Sequence, residues 1–183
     1  MNKVNEILTF WFEETTSKQK YMKDDAFDVL IKTSYEDVYW DIVKSKGVEW
    51  RKTPVGSLAA IVVLDQFSRN MFRGDAQSFA ADDLALEIAE EMVATGADKK
   101  IAADRRGAIY MPYMHSESKE VHERALSIFE EHAKETGETS GLKYEKKHKK
   151  IIDRFERYPH RNKILGRESI PEEEEFNTEH GGF

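Results

Sequence analysis

The chain has 183 residues, of which 39% are hydrophobic and 34% charged, and it carries a formal net charge of −7 and no cysteine. This length suits one domain with a sizeable core, and the cysteine count excludes disulfide scaffolds, thiolate metal sites and cysteine nucleophiles. The longest apolar run, residues 58–64, is far shorter than the ~20 residues that span a bilayer. We therefore predict a single soluble domain over residues 1–183 that is cytoplasmic and binds no membrane.

Helical spacing dominates the first half of the chain. Apolar residues recur every three or four positions over residues 24–46, which predicts a long amphipathic helix. Thr53 followed by Pro54 is typical of a helix start, because a hydroxyl cap precedes a residue whose φ is already helical. That helix is predicted to continue for several turns, and Asp75 is in position to cap the next one, which ends before Gly96.

The second half is also predicted to be helical, after an irregular stretch. Residues 97–114 contain Pro112 and a glycine, which break helices, so we predict a loop there. Helical patterns resume near Glu117 and again over residues 142–157, and Pro171 with four glutamates begins a short last helix. No long stretch of the sequence alternates with a period of two. We predict an all-α fold of antiparallel helical hairpins with short connections.

The charge is unevenly distributed along the chain. Residues 143–167 contain ten Lys or Arg against three Asp or Glu, whereas residues 168–183 contain six Glu and no Lys or Arg. Such asymmetry is expected of a surface that binds nucleic acid or another anion. It is equally expected of a basic helix that an acidic tail neutralises.

A first polar segment, residues 64–74, has the sequence L-D-Q-F-S-R-N-M-F-R-G. Asp65, Arg69 and Arg73 are four residues apart and so form one row on a helix. One interpretation is a network of ion pairs between helices. The other is a half-buried row in which one arginine binds an anionic substrate and Asn70 orients a polar ligand.

A second polar segment, residues 110–117, has the sequence Y-M-P-Y-M-H-S-E. We predict that His115 and Glu117 stand at a helix N-terminus, where a histidine can act as a general acid or base and the helix end favours a bound anion. The alternative is structural, in that Ser116 or Ser118 caps the helix and His115 packs against a neighbouring tyrosine.

A third polar segment, residues 148–167, contains the turn Pro-His-Arg-Asn. His160, Arg161 and Asn162 offer a titratable ring, a fixed fork of donors and an amide at consecutive loop positions, which favours a binding site. Asn162 can equally cap the residues that follow it. His148 falls on the apolar face of its helix, which is more typical of a hydrogen-bonded core residue than of a ligand.

Together these segments resemble a bacterial family known only as domain of unknown function 924. The matching motifs are L-D-Q-F-S-R-N-M-F-R-G, M-P-Y-M-H-S-E, R-F-E-R-Y-P-H-R-N with L-G-R after it, P-E-E-E-E-F and the final G-G-F. The resemblance covers nearly the whole chain and implies tetratricopeptide-like helical hairpins, but it implies no activity. The chain departs from the family pattern at Glu156, Tyr158 and Ile170, where the family usually has Gly, Phe and Thr. A glutamate in place of glycine restricts the backbone just before the Pro-His-Arg-Asn turn.

Our leading prediction is that the chain binds a small anionic or polar molecule in a pocket where the three segments converge. The predicted catalytic residues are His115 and His160. The predicted ligand-binding residues are Asp65, Arg69, Asn70, Arg73, Glu117, Arg161 and Asn162. No cofactor is expected, and no metal, because the chain has none of the usual metal-ligand spacings.

Two other functions are consistent with the sequence. The first is a metal-independent acid–base enzyme that hydrolyses a phosphorylated or nucleic-acid-derived substrate, in which a histidine moves protons and arginines neutralise developing charge. The second is a helical-hairpin module that binds a protein or peptide in a groove lined by Tyr35, Tyr39 and Trp40. Nucleic acid is a further candidate partner, through residues 143–167.

Overall fold

The structure is a computed structural model that describes residues 2–180, and every regular element in that range is helical. The α-helices are α1 (Lys3–Thr9), α2 (Ser17–Tyr21), α3 (Asp25–Ser45), α4 (Pro54–Ile61), α5 (Ser68–Met71), α6 (Asp82–Ala94), α7 (Ala103–His115), α8 (Lys119–Thr136), α9 (Ser140–Phe155) and α10 (Pro171–His180). The all-α prediction is therefore confirmed for this range. None of the helices within it is long and apolar enough to cross a membrane. The G-G-F ending, residues 181–183, lies outside the described residues.

The chain divides into two compact units. Unit 1 consists of Met1–Arg73 and Gln77–Pro112, and unit 2 consists of Gly74–Ala76 and Tyr113–Phe183. The boundary falls inside α7, so the last turn of that helix, with His115, belongs to unit 2. The single domain over residues 1–183 stays a prediction.

Local capping explains where two helices of unit 1 begin. The carboxylate of Asp24 accepts two N–H groups of the first turn of α3, each at 3.1 Å. The hydroxyl of Thr53 accepts the N–H of Gly56 at 3.1 Å, and Pro54 is the first residue of α4. The predicted helix over residues 24–46 and the predicted start at Thr53-Pro54 are therefore confirmed.

Aromatic packing holds the centre of unit 1 together. Helices α1 and α4 each continue into a π-helical segment, Phe10–Glu14 and Val62–Phe67. The ring of Phe67 lies 5.5 Å from that of Trp11 and 4.9 Å from that of Tyr35, measured between centroids. Such large rings contribute both buried apolar area and favourable edge contacts, and here they join α3 to the two π-helical segments.

Two sequence predictions about helix boundaries are wrong. The loop predicted over residues 97–114 is largely the helix α7, which includes Pro112. Four apolar side chains close to the proline are buried, namely Ile109, Tyr110, Tyr113 and Met114. Their burial outweighs the loss of the one backbone hydrogen bond that a proline cannot donate. Likewise Asp75 does not cap α6, because a 3₁₀ turn, Ala76–Phe79, follows it and α6 begins only at Asp82.

In unit 2, α8 and α9 form a helical hairpin. Gly137 ends α8 in the left-handed conformation, with a φ of 78°, and α9 begins at Ser140. The two helices approach closely at Gly141, where a Cβ atom would stand 2.9 Å from the ring of Phe129. Glycine is therefore favoured at position 141 by packing.

The C-terminal end of α9 and the segments after it share a small core. Ile151, Ile152 and Tyr158 are buried together, and Phe155 and Phe176 pack against them. Tyr158 immediately precedes a 3₁₀ turn, Pro159–Arg161, so this core fixes the position of the Pro-His-Arg-Asn turn.

Candidate functional site

The first polar segment lies in unit 1, where its charges make ion pairs. Arg69 places its guanidinium 2.8 Å from a carboxylate oxygen of Asp82 and donates to the carbonyl of Ser78. Its distance from the fully buried Asp65 is longer, 3.8 Å. The guanidinium also lies 4.6 Å from the ring centroid of Phe79. Asp65 and Arg69 therefore lie in one row, as predicted, but the closer ion pair of Arg69 is with Asp82 of α6.

Arg73 and Asn70 meet at another carboxylate of unit 1. Arg73 donates twice to Asp28, at 2.5 and 2.9 Å, and the amide of Asn70 donates to it at 2.7 Å. Burial raises the pKa of Asp28, but the hydrogen bonds from Arg73 and Asn70 outweigh this effect and lower it. Three of the four predicted ligand-binding residues of the first segment, Arg69, Asn70 and Arg73, thus connect helices within unit 1.

The second and third polar segments meet in unit 2. The guanidinium of Arg161 donates to the main-chain carbonyl of His115 at 3.0 Å, which joins the end of α7 to the Pro-His-Arg-Asn turn. The same guanidinium lies 4.6 Å from the ring centroid of Tyr158. These two segments therefore meet, and the convergence of all three segments in one pocket stays a prediction.

Histidines surround the ring of Tyr158, which is itself only 1% exposed. Its centroid lies 5.5 Å from that of His160 and 5.7 Å from that of His148. His115, His148 and His160 are all partly exposed. We call these three histidines, with Arg161 and Tyr158, the histidine cluster.

The environment of His148 determines its charge and its tautomer. Burial, with smaller contributions from His115, His122 and Arg161, lowers the pKa of His148 to about 4, although the hydrogen bond to Tyr144 acts in the opposite direction. The imidazole is therefore neutral at neutral pH. Its Nδ1 lies 2.9 Å from the main-chain carbonyl of Tyr144, and because a carbonyl only accepts, Nδ1 carries the proton. Nε2 of His148 is then the acceptor nitrogen of the ring.

Glu117 anchors the turn from one side. Its carboxylate accepts two hydrogen bonds from Arg167, at 2.6 and 2.9 Å, and the N–H of Tyr158 at 2.7 Å. Burial raises the pKa of Glu117, but these hydrogen bonds and the nearby Arg161 outweigh it, so the pKa is lowered. Glu117 is thus an ionised support for the cluster.

Glu173 anchors the turn from the other side. It is 1% exposed and accepts two hydrogen bonds from Arg157, at 2.7 and 2.8 Å. The amide of Asn162 donates to it at 3.1 Å, and the N–H of Ile170 at 3.0 Å. Arg157 lowers the pKa of Glu173 despite burial. Asn162, predicted to bind a ligand, is 1% exposed and fastens the turn to α10.

The sequence did not reveal a buried hydrogen-bonded pair, His122 and Glu145, that lies next to the cluster. His122 of α8 and Glu145 of α9 are both 0% exposed, and Nδ1 lies 2.7 Å from Oε1. Nε2 of His122 lies 2.9 Å from the carbonyl of Ser116, in the short connection between His115 and Glu117. The sequence could have indicated this pair. Glu145 shares the apolar face of α9 with Ile152, and a buried carboxylate in that position needs a hydrogen-bonding partner.

The predicted setting of His115 is wrong. His115 is the last residue of α7 and does not stand at a helix N-terminus, because α7 continues through Pro112. The next helix, α8, is capped by Ser118, whose hydroxyl accepts the N–H of Val121 at 3.4 Å. The helix-dipole part of the prediction therefore does not apply to His115.

The predicted aromatic groove is also wrong. Tyr35 and Tyr39 are only 4% and 0% exposed, so they belong to the core of unit 1. Trp40 is 44% exposed and is the one member of that set at the surface. Within residues 2–180, no group of three or more His, Asp or Glu side chains is arranged to hold a metal ion.

Comparison with known proteins places the chain in a family. A family model described as "Bacterial protein of unknown function (DUF924)" matches residues 7–181. The chain belongs to the DUF924 family. It is also similar to the solved structure of a protein of unknown function, ATU0120 from Agrobacterium tumefaciens, with 33% identity, 97% of each chain covered and a TM-score of 0.87. No curated protein matches the sequence. The resemblance inferred from the motifs is confirmed, and these comparisons assign no activity.

One departure of this DUF924 protein from the family pattern lies beside the cluster. Glu156 ends α9 in the left-handed conformation, with a φ of 60°. This conformation favours the glycine that the family resemblance implies there, since a residue with a Cβ atom is strained at such a φ. The side chain of Glu156 is 76% exposed and accepts a hydrogen bond from Lys119 at 2.7 Å.

Proposed function

We propose that this DUF924 protein binds a small anionic molecule at the histidine cluster of unit 2. The observation that carries the proposal is that His148, His160 and Arg161 lie around the buried ring of Tyr158, while Arg161 also holds the main-chain carbonyl of His115. The guanidinium of Arg161 and the partly exposed imidazoles of His115 and His160 are groups that can donate hydrogen bonds to an anion. A guanidinium matches the geometry of a carboxylate or a phosphate.

The local charge favours an anion. Arg161 and Arg167 contribute two positive charges near the turn, and Glu117 contributes one negative charge that Arg167 already pairs. His148, with its pKa of about 4, adds polar groups but no positive charge at neutral pH. The cluster therefore has a net positive charge without needing protonated histidines.

The proposal is tested by thermal unfolding in the presence of inorganic phosphate, nucleoside monophosphates, sugar phosphates and organic acids. A ligand at about 100 times its Kd adds about 2.7 kcal/mol to the free energy of unfolding, which raises Tm visibly. We expect Arg161→Lys, which keeps the charge but loses the fork, and His160→Gln to weaken binding at least tenfold. Arg51→Lys is the matched control, because Arg51 also makes ion pairs with two carboxylates but lies in unit 1.

Two results would overturn the proposal. In the first, none of these anions raises Tm. In the second, an anion raises Tm equally in the wild type and in both cluster variants, which would move the binding site elsewhere.

A second candidate function is acid–base catalysis at the same cluster. It is favoured by the placement of His148 and His160 on the same ring of Tyr158, with His148 as the base and His160 or His115 as the partner acid. The substrate class would be phosphorylated or nucleic-acid-derived compounds, with Arg161 neutralising the developing charge. Turnover of such compounds that His148→Gln reduces at least a hundredfold would support it, and full turnover in that variant would exclude His148 as the base.

We also propose a tetratricopeptide-like arrangement of helical hairpins and a cytoplasmic location. The α8–α9 hairpin supports the first, and a crystal structure would test whether successive hairpins stack with a constant rotation. Binding of a peptide or protein to such hairpins remains an alternative role, which the exposed Trp40 favours. Cell fractionation tests the location.

A further inference from the structure

The outward face of α9 carries a row of positive side chains. Lys143, Lys147, Lys150 and Arg154 are all exposed, and their spacing of four, three and four residues keeps them within roughly 60° of one another around the helix. At 1.5 Å per residue the row is about 16 Å long. We call these four residues the basic row.

An aromatic side chain lies at each end of the basic row. Tyr144 is 51% exposed, and the ammonium of Lys147 lies 5.4 Å from its ring centroid. At the other end, the guanidinium of Arg154 lies 4.5 Å from the ring centroid of Phe155. Phe155 lines an open cleft of about 430 Å³, together with Arg154, Glu156, Arg157, Ile170 and Glu173.

The carboxylates near the row are held by other cations. The carboxylate of Asp153 accepts a hydrogen bond from the ammonium of Lys149, also on α9, at 2.9 Å. In the cleft, Glu156 is paired with Lys119 and Glu173 with Arg157. The four charges of the basic row are therefore not cancelled by the nearest carboxylates, despite the chain's net charge of −7.

We propose that the outward face of α9 binds single-stranded nucleic acid, with the basic row on the phosphates and with Tyr144 stacking on a base. A line of cations beside an exposed ring is a combination that single strands recognise, because their bases are free to stack on a protein ring. A duplex keeps its bases stacked and would leave the ring of Tyr144 unused. An anionic membrane would need a broad apolar face beside the cations, and Tyr144 is the large apolar side chain that this row exposes.

The test is fluorescence anisotropy of a labelled 12-nucleotide oligouridine titrated with the full chain at several salt concentrations. For a single strand, log K falls with log salt at a slope of about −0.7 per phosphate contacted, so four contacts predict a slope of about −3. The double variant Lys147→Ala/Lys150→Ala should halve this slope. Tyr144→Ala should weaken binding about tenfold and leave the slope unchanged, because stacking releases no counterions.

The matched control is the double variant Lys44→Ala/Lys100→Ala. It removes the same charge from exposed positions of unit 1, and we expect it to retain the wild-type slope and at least half of the affinity. Circular dichroism shows whether each variant is folded. The proposal is overturned if the oligonucleotide does not bind at 50 mM salt or if a duplex of equal length binds more tightly. It is also overturned if an acidic peptide or heparin competes fully and Tyr144→Ala has no effect, which would indicate a surface for any polyanion.

Discussion

Replacement of Glu156 by glycine should stabilise the protein. Glu156 has a φ of 60°, and the left-handed conformation costs a residue with a Cβ atom roughly 1–2 kcal/mol. Glycine avoids that cost but loses roughly 0.5–1 kcal/mol more backbone entropy on folding. The difference predicts that Glu156→Gly raises the free energy of unfolding by roughly 0.5–1 kcal/mol, or Tm by about 1–4 °C for a chain of this size.

A matched variant separates the backbone effect from the ion pair. Glu156→Ala removes the same exposed contact with Lys119 but keeps the Cβ atom and therefore the strain. Urea denaturation followed by circular dichroism measures all three proteins. We expect the glycine variant to be the most stable and the alanine variant to be no more stable than the wild type. If glycine and alanine variants unfold at the same urea concentration, residue 156 is not strained and the reasoning is refuted.

Three further predictions concern unit 2. Gly141→Ala should destabilise the α8–α9 hairpin by about 1–3 kcal/mol in urea denaturation, because the added Cβ would stand 2.9 Å from an aromatic ring of α8. Glu145→Leu should cost about 3–5 kcal/mol because it leaves His122 buried without its carboxylate, and the double variant with His122→Leu should be the more stable of the two in the same assay. Since the pKa values of Glu117 and Glu173 are lowered in the folded state, their contribution to stability is complete above the ordinary carboxyl value of about 4.3 and is lost as the pH falls through the lowered values. Urea midpoints measured from pH 6 to pH 3 should therefore fall less steeply in Glu117→Gln than in the wild type.

Local signals predicted the helix starts well, because they depend on neighbouring residues alone. The hydroxyl of Thr53 caps α4 through a contact only three residues away. Pro112 misled the same reasoning, since the burial of its neighbours in α7 decides that helix and burial is not visible in a sequence. The residue types of the Pro-His-Arg-Asn turn directed attention to the segment in which Arg161 contacts the carbonyl of His115, but their role as a binding site stays a prediction.

The partners of charged residues could not be predicted, because distant helices compete for them. Arg69 is four residues from Asp65, yet its closer carboxylate is that of Asp82 on α6. His148 resembled a core residue on its helix, and only the position of Tyr158 places it beside other histidines. No motif or spacing around His122 in the sequence predicted that its ring would be buried against a carboxylate.

The central claim, an anion site at the histidine cluster, is tested most directly by NMR of the imidazole C–H resonances of the six histidines during titration with inorganic phosphate. Assignments come from single His→Gln variants. We predict that His115, His148 and His160 shift together with one Kd, while His180, on the last turn of α10, does not move. Shifts that spread equally over the exposed histidines, or no shift within the cluster at saturating phosphate, nucleoside monophosphate and citrate, would contradict the account.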